Sequence, residues 1–358
     1  MQGLKILHII TSTELGGAQK VCIDLCRKAV EDGYSVAVAS MSGGYMWQQL
    51  PENAIQFQLK NMVKPIKPSK DLKVFFELKT VIKKFKPDII HLHSSKAGVL
   101  GRLASLYNYK RIVYTVHGFD SIRLKHRVFL PIEKILQRFC GAIVGVSDYD
   151  KNNLIAEKIT QNVCVVYNGI AENSITPENY LPNFNKTRKT IFTIARIAPP
   201  KNLDIFLETA KKLLQYDFVW LGGSPEYSVE ELNKMYSVPE NVKLCGDVPN
   251  ASNYINICDL FVLFSNFEGL PMTIIEAMSQ KKAVVASNVG GIYDLVDSSN
   301  GFLIENDADI AANAVRAILS DDDLRLSMGE KSYEKYKSSF TLDKMWNAYK
   351  CIYQELTK

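Results

Sequence analysis

The chain has 358 residues, of which 47% are hydrophobic and 23% charged, a length that suits two α/β domains of roughly 150–200 residues rather than one core. Its net charge of +5 is uneven: residues 1–170 carry 24 Lys+Arg against 13 Asp+Glu, and residues 171–358 carry 19 against 25. The first half is therefore expected to face an anionic surface or acceptor, and no apolar run approaches the roughly 20 residues that would cross a bilayer.

Taken in order, short Val- and Ile-rich runs alternate with helical patterns. KILHII opens the chain without a basic n-region or cleavage site, so it reads as a strand rather than a signal peptide. AQKVCIDLCRKAVEDG follows as a helix that stops at Gly33. Then come YSVAVAS, DIIHLH, the helical SKAGVLGRLASLYN, RIVYTVH, AIVGVS and VCVVYN. Runs of this kind are strands buried on both faces, and repeated βα units predict a parallel, doubly wound sheet. The pattern falters over residues 169–188, which are polar and aperiodic. It restarts with TIFTIA, DFVWLGG, NVKLCG, LFVLFS and AVVAS, separated by helices such as NLDIFLETAKKLL and MTIIEAMSQ. The expectation is two Rossmann-like domains, 1–168 and 189–340, joined by a linker over 169–188. A final helix over 341–358 can cross back to the first domain, with Leu342, Met345, Trp346, Tyr349 and Tyr353 on one face.

The most informative stretch is FSNFEGLPMTIIEAM, residues 264–278. A buried strand runs into a loop with Glu268 and Gly269. Pro271 then suits the first turn of a helix bearing Glu276. Helix-start amides at a strand's C-terminal end are where open α/β sheets bind ligands. Carboxylates accept hydrogen bonds from vicinal hydroxyls, so each could grip a diol, one on a sugar and one on a ribose; the spacing alone does not separate this from a helix-start acid plus a solvated glutamate. A glycosidase reading fails, because one helix is a poor platform for two carboxylates flanking a scissile bond. Arg196 ends a strand and Lys201 opens the next helix, a cation pair suited to a diphosphate, although this stretch alone favours two ordinary surface bases. Gly222 and Gly223 after DFVWL, and Gly246 after NVKL, make tight turns at strand ends. In the first half, Leu15-Gly16-Gly17-Ala18 offers bare backbone that can approach a phosphate, but it is not G-x-G-x-x-G, which counts against a dehydrogenase.

With Glu268-x7-Glu276, Arg196-x4-Lys201, the Gly16-Gly17 loop, Asn168-Gly169-Ile170 and VHGFD in this order, the whole chain resembles family-four glycosyltransferases of the GT-B fold, in particular those that assemble bacterial surface polysaccharides. The resemblance implies two Rossmann-like domains facing across a cleft, and retaining transfer from a nucleoside-diphosphate sugar without a metal or other cofactor. Arg196 and Lys201 would hold the diphosphate and Glu276 the ribose. Glu268, with the amides of Gly269 and Leu270, would hold the transferred sugar. Gly16 and Gly17 would approach the phosphates, His117 would sit near the reacting sugar, Gly222 would line the donor site and Val248 the base pocket. His93, Lys96 and Arg102 are assigned to the acceptor side. The sequence departs from the family's pattern at LGGSPE, where a glycine-acid-glycine turn is usual, and at SQKKAVVAS. The donor is expected to be a UDP-sugar, with GDP-mannose second, carrying a hexose or N-acetylhexosamine to a glycan or lipid-diphosphate-linked acceptor. The rival readings are a nucleotide-sugar 2-epimerase of the same fold and a non-catalytic partner of an active transferase.

Other signals are read more plainly. Asp148-Tyr149-Asp150 spells D-x-D but follows Ser147 at a helix start, where acids cap. His91 and His93 share a strand face with no third ligand evident nearby, so they are expected to line the cleft rather than hold zinc. Among seven cysteines there is no C-x-x-C, and Cys22 and Cys26 are expected to be reduced and buried. Nine lysines fall between Lys60 and Lys86, and Ile122–Phe139 mixes Arg123, Lys125, Arg127, Lys134 and Arg138 with Phe129, Leu130, Ile132, Ile135 and Leu136. These segments are expected to touch an anionic membrane, placing a cytoplasmic protein peripherally on the inner face of the cell membrane. No nucleic-acid-binding motif appears.

Overall fold

A computed structural model of the chain describes residues 3–14, 16–172 and 186–358. Most of the expected linker lies outside the described residues, as does Leu15. The chain divides into two compact units, one formed by Met1–Gly169 with Leu342–Lys358 and the other by Ile170–Thr341.

The first unit contains strands β1 (Lys5–Ile9), β2 (Ser35–Met41), β3 (Ile55–Leu59), β4 (Ile89–Leu92), β5 (Ile112–Val116), β6 (Ala142–Gly145) and β7 (Val163–Val165). They pair in parallel in the order β3-β2-β1-β4-β5-β6-β7. All residues of β4, β5 and β6 are buried, as strands covered by helices on both faces must be. The first helix, Gly17–Glu31, buries Val21, Cys22, Leu25, Cys26 and Ala29 and ends before Gly33, whose φ of +80° reverses the chain. The C-terminal helix Leu342–Leu356 belongs to this unit. Its buried Tyr353 and Tyr349 hydroxyls meet His91 Nδ1 at 2.7 Å and Thr115 Oγ1 at 2.9 Å. The Trp346 indole N–H and the Lys350 ammonium donate to Asp32 Oδ2 at 3.0 and 2.6 Å, and these bonds, Lys350 first, hold the Asp32 carboxyl below its ordinary range.

The second unit contains β8 (Thr190–Ile194), β9 (Asp217–Leu221), β10 (Val242–Leu244), β11 (Leu260–Leu263), β12 (Val284–Ser287) and β13 (Gly301–Ile304), parallel in the order β10-β9-β8-β11-β12-β13. Phe206 packs edge-on against Phe218 and Trp220 at 5.4 and 5.1 Å between ring centroids, and Trp220 Nε1–H donates to Ala195 O at 2.6 Å. A core aromatic thus fixes the end of β8, where the site begins. Both sheets are doubly wound, with the order reversing between β1 and β4 and between β8 and β11. Among the described residues no helix is long and apolar enough to cross a membrane.

Candidate active site

At the β8/β11 reversal, loops leave neighbouring strand ends in opposite directions and open a ligand crevice. Arg196 follows β8, is exposed, and has no ion-pair partner among the described residues. Lys201 N–H donates to Ala198 O at 3.0 Å within its loop, and two backbone bonds stitch that loop to the end of β11: Asn202 N–H to Phe264 O at 2.9 Å and Asn266 N–H to Pro200 O at 3.0 Å. This brings the Lys201 ammonium into an ion pair with Glu268 Oε1, which also accepts the Ser265 hydroxyl at 2.7 Å. The two side chains are only 19% and 12% exposed. A cation and a carboxylate from separate loops therefore share one partly desolvated spot, where their charges act more strongly than in water.

The loop after β12 fixes the backbone of that carboxylate. Gly290 has φ +58°, and a Cβ there would lie 1.8 Å from Glu268 O; Gly291 N–H donates to Gly269 O at 2.9 Å. Leu270 is buried, and the helix Met272–Ser279 begins with Pro271 as its N-cap and no side-chain cap bond. The N-cap side chain thus offers its first amides no acceptor, and the helix presents a positive end at the crevice. Glu276 lies in the second turn of that helix and is buried.

Gly222, after β9, has φ +133° and packs so closely that a Cβ would meet Ala195 O at 2.1 Å. Its N–H donates to Gly246 O at 2.8 Å, and Gly223 N–H donates to Asp247 Oδ1 at 2.8 Å. Half-buried Val248 follows that aspartate. In the departing LGGSPE turn, Ser224 Oγ accepts the Glu226 and Tyr227 amides at 3.2 and 3.3 Å, so this serine is engaged in its own turn. Ser265, Asp247, Gly290 and Gly291 were not singled out in the sequence, although the Gly290-Gly291 pair after a buried strand was a readable signal.

In the first unit, Gly16 is the extended N-cap of the helix that starts at Gly17, with no side-chain cap. His117 follows β5. Its Nε2 lies 3.3 Å from His93 Nδ1, and burial pulls its pKa down to about 4, so at neutral pH the imidazole is uncharged. Asp150 Oδ1 accepts the Phe119 amide at 2.7 Å, and Ser147 Oγ accepts the Asp150 amide at 3.1 Å. The D-x-D acids thus serve a helix start and the loop beside His117. His117→Ala is expected to slow transfer at least 10-fold while nucleotide affinity, read by calorimetry, changes less than 3-fold. Activity in the variant should keep the wild-type profile between pH 6 and 8, because a group that titrates near 4 adds no inflection there.

The three acceptor-side assignments need correction. Arg102 is fully buried: its Nε donates to Gly98 O at 2.8 Å, its NH2 pairs with Glu133 at 2.6 Å, and its guanidinium lies 4.6 Å from the Tyr114 ring centre. Lys96 is spent on Val63 O, Pro65 O and Asp71 Oδ1 at 2.8, 2.7 and 2.6 Å, where it straps a loop. His93 is fully buried and reaches His117 and His8 rather than an open face. His91 is equally enclosed, between Tyr353 and Thr115. A third imidazole, His8, does stand beside this pair, because β1–β4 register sets His8 against His91.

Comparison with known proteins defines the class. Residues 15–173 match the family model described as Glycosyltransferase Family 4, and residues 181–335 match that described as Glycosyl transferases group 1. A UDP-Gal:alpha-D-GlcNAc-diphosphoundecaprenol alpha-1,3-galactosyltransferase of Escherichia coli is 28% identical over 99% of this chain and 97% of its own. The O-antigen biosynthesis glycosyltransferase WbnH of Escherichia coli is also 28% identical, over 96% of this chain and 97% of its own. The Anabaena HepE structure in complex with UDP-glucose superposes with a TM-score of 0.82 at 20% identity, covering 99% of both chains, which establishes the shared GT-B fold. The protein is a glycosyltransferase. Within that class, the chain belongs to the family-four glycosyltransferases, the two models together spanning most of its length.

Proposed function

We propose that this enzyme moves a hexose or N-acetylhexosamine from a UDP-sugar to a lipid-diphosphate-linked glycan in surface-polysaccharide synthesis, retaining the anomeric configuration and needing no divalent metal. The carrying observation is the Lys201–Glu268–Ser265 constellation beside exposed Arg196 and an uncapped helix start. A departing diphosphate develops negative charge that a positive group must neutralise. Arg196, Lys201 and the first amides of helix Met272–Ser279 supply that field. Glu268, with the Gly269 and Leu270 amides, holds the sugar, while Glu276 takes the ribose diol. The acceptor hydroxyl oxygen bonds to the anomeric carbon on the face the diphosphate leaves. The carbon–phosphate-oxygen bond breaks with its electron pair passing to UDP, and the acceptor proton passes to the departing phosphate. Support for the donor and acceptor comes from the galactosyltransferase relative named above, whose name specifies both a UDP-sugar and a diphosphoundecaprenol glycan.

The test is proton NMR of the product made from each member of a UDP- and GDP-sugar panel, with rates measured in excess EDTA. An α-linked product from an α-linked donor, at an unchanged rate in EDTA, is expected. A β-linked product, or activity abolished by EDTA and restored by manganese, would overturn the mechanism.

A membrane-bound acceptor requires the enzyme to reach a bilayer, and the first unit carries two surfaces suited to one. An open groove of about 700 Å³ is lined by Phe76, Lys79, Lys83, Lys86, Tyr107 and Arg111, with Phe76 and Tyr107 exposed. Along Ser121–Leu136, a broken series of short helical turns exposes Leu124, Val128, Ile132 and Ile135 among basic residues. Apolar side chains enter the interface while each nearby base gains ~1 kcal/mol from anionic lipid. Because the screening length is only ~8 Å at 0.15 M salt, cosedimentation with phosphatidylglycerol vesicles should fall with added salt. It should fall again in a Lys79→Gln, Lys83→Gln, Lys84→Gln, Lys125→Gln variant. Equal binding to neutral vesicles would defeat the idea.

A further inference from the structure

Four of the five histidines, His8, His91, His93 and His117, gather inside the first unit, next to two thiols. His8, on β1, lies between them: its Nδ1 is 2.9 Å from His93 Nε2, and its ring sits 5.2 Å from those of both His91 and His93. On its other side stand Cys22 and Cys26. Four residues apart on helix Gly17–Glu31, they present their sulfurs on one face, one turn apart. A ring nitrogen of His8 and the sulfurs of Cys22 and Cys26 all lie within 4.8 Å of one another, and all three residues are completely buried.

Hydrogen bonding decides which of these atoms is available. Both nitrogens of His91 are engaged, by Tyr353 and Thr115, and both nitrogens of His93 by His8 and His117. His8 Nε2 is the one ring nitrogen of the three that is buried with no hydrogen-bond partner among the described residues. A buried, unsatisfied imidazole nitrogen is costly unless something accepts its lone pair or its proton.

We propose that His8 Nε2 and the thiolates of Cys22 and Cys26 form a binding site for one soft d10 cation, zinc or copper(I), in the core of the first unit. Two sulfurs and one imidazole nitrogen are the donor set such ions select, and hard oxygen-seeking ions such as magnesium have no ligand there. The imidazole is already oriented as a metal ligand requires, since its other nitrogen is held by His93. The three donor atoms lie within 4.8 Å of one another, against about 3.3–3.8 Å for neighbouring ligands of a tetrahedral ion with bonds of about 2.0–2.3 Å, so side-chain adjustment on the order of 1 Å suffices. Binding displaces the two thiol protons to solvent.

Occupancy reaches further than the ligands. With its Nε2 lone pair on the cation, His8 carries its proton on Nδ1 and donates to His93 Nε2. His93 then carries its proton on Nδ1 and donates to His117 Nε2, leaving His117 with Nδ1–H. The cation thereby sets one tautomer along the whole row and ties the helix that opens at Gly17 to β1. Cation binding itself does not rest on the donor chemistry proposed above, although the row it orders ends at His117, and the test does not use transfer activity.

Reduced protein, freed of metal and kept anaerobic, is titrated with cobalt(II) as a spectroscopic stand-in for zinc. A thiolate-to-cobalt charge-transfer band that saturates at one equivalent is expected. It should persist in Cys351→Ser and Cys245→Ser, and vanish in Cys22→Ala/Cys26→Ala. Parallel titrations with zinc and with copper(I), each against a chromophoric chelator, tell which ion binds more tightly. At about 100 times its dissociation constant the preferred ion should raise Tm by about 5–10 °C, and the Cys22→Ala/Cys26→Ala variant, folded by circular dichroism, should lose that rise. Should the double variant fail to fold, His8→Gln serves in its place, with weakened binding expected. No band at one equivalent, or a band and Tm rise unchanged in the double variant, would overturn the proposal.

Discussion

Lys201→Ala should lower kcat by about 100- to 1,000-fold, the loss expected when one fixed positive group is removed from developing charge. Arg196→Ala should fall in the same range, since the proposed site sets both cations against the departing diphosphate. The Lys201 effect has a second component. Its ammonium is the ion-pair partner of Glu268, so its removal also frees the carboxylate meant to grip the sugar. Glu268→Ala alone should cost roughly 10- to 150-fold in kcat/KM, the worth of a hydrogen bond to a charged group. Glu276→Ala should cost a similar factor, but mainly in donor affinity. Because Lys201 and Glu268 touch, their losses should not add: a double-mutant cycle should return a coupling of about 0.5–3 kcal/mol, whereas Lys201 paired with Glu276 should be closer to additive. The measurement is steady-state kinetics with donor varied at saturating acceptor, together with calorimetric UDP affinity. Near-wild-type kcat in Lys201→Ala would remove the site assignment.

Which residues of the proposed site stand out in the sequence follows from where the information sits in the chain. Arg196, Lys201, Gly222 and Glu268 each lie within a few residues of the end of a buried strand. Apolar runs locate such ends, and open parallel sheets put ligands there. The strands that went unnoticed are both at sheet edges. In β3, IQFQL alternates glutamines with apolar residues and leaves three of its five residues exposed, so no continuous apolar run marks it. In β13, only GFLI is available, and its Gly301 packs where a Cβ would be 2.0 Å from Val284 O. Arg102, Lys96 and His93 were misassigned for a different reason. A cation on a helix after a strand looks alike in sequence whether it faces a ligand or an internal partner. For Arg102 that partner is Glu133, which is 31 residues away. His8 carries no local signal at all, since only the β1–β4 register brings it to His91. Pairing between distant parallel strands is the least local contact in such a fold, so the histidine cluster emerges from the coordinates alone.

Gly290→Ala should lower kcat by about 100-fold although no atom of Gly290 is assigned to substrate. Two features of the backbone combine. The residue sits at φ +58°, where an L side chain costs roughly 1–2 kcal/mol, and the new Cβ would fall 1.8 Å from Glu268 O and 2.9 Å from Glu268 N. Neither atom is the end of a flexible side chain, so the Glu268 backbone itself must move. With it move the Gly269 and Leu270 amides and the carboxylate that Lys201 and Ser265 hold, while the Gly291–Gly269 bond at 2.9 Å is strained or lost. A displacement of about 1 Å at a reacting centre can cost on the order of 100-fold in rate. Arg196 follows β8, on the far side of β11 from β12; UDP affinity should therefore fall much less than turnover. Kinetics, UDP calorimetry and a thermal melt of the one variant distinguish the outcomes. A large fall in kcat with UDP affinity within a few-fold of wild type is the expected result. Unchanged turnover would show that the position of the Glu268 loop does not govern transfer, and equal losses in turnover and UDP affinity would show that this loop binds the nucleotide instead.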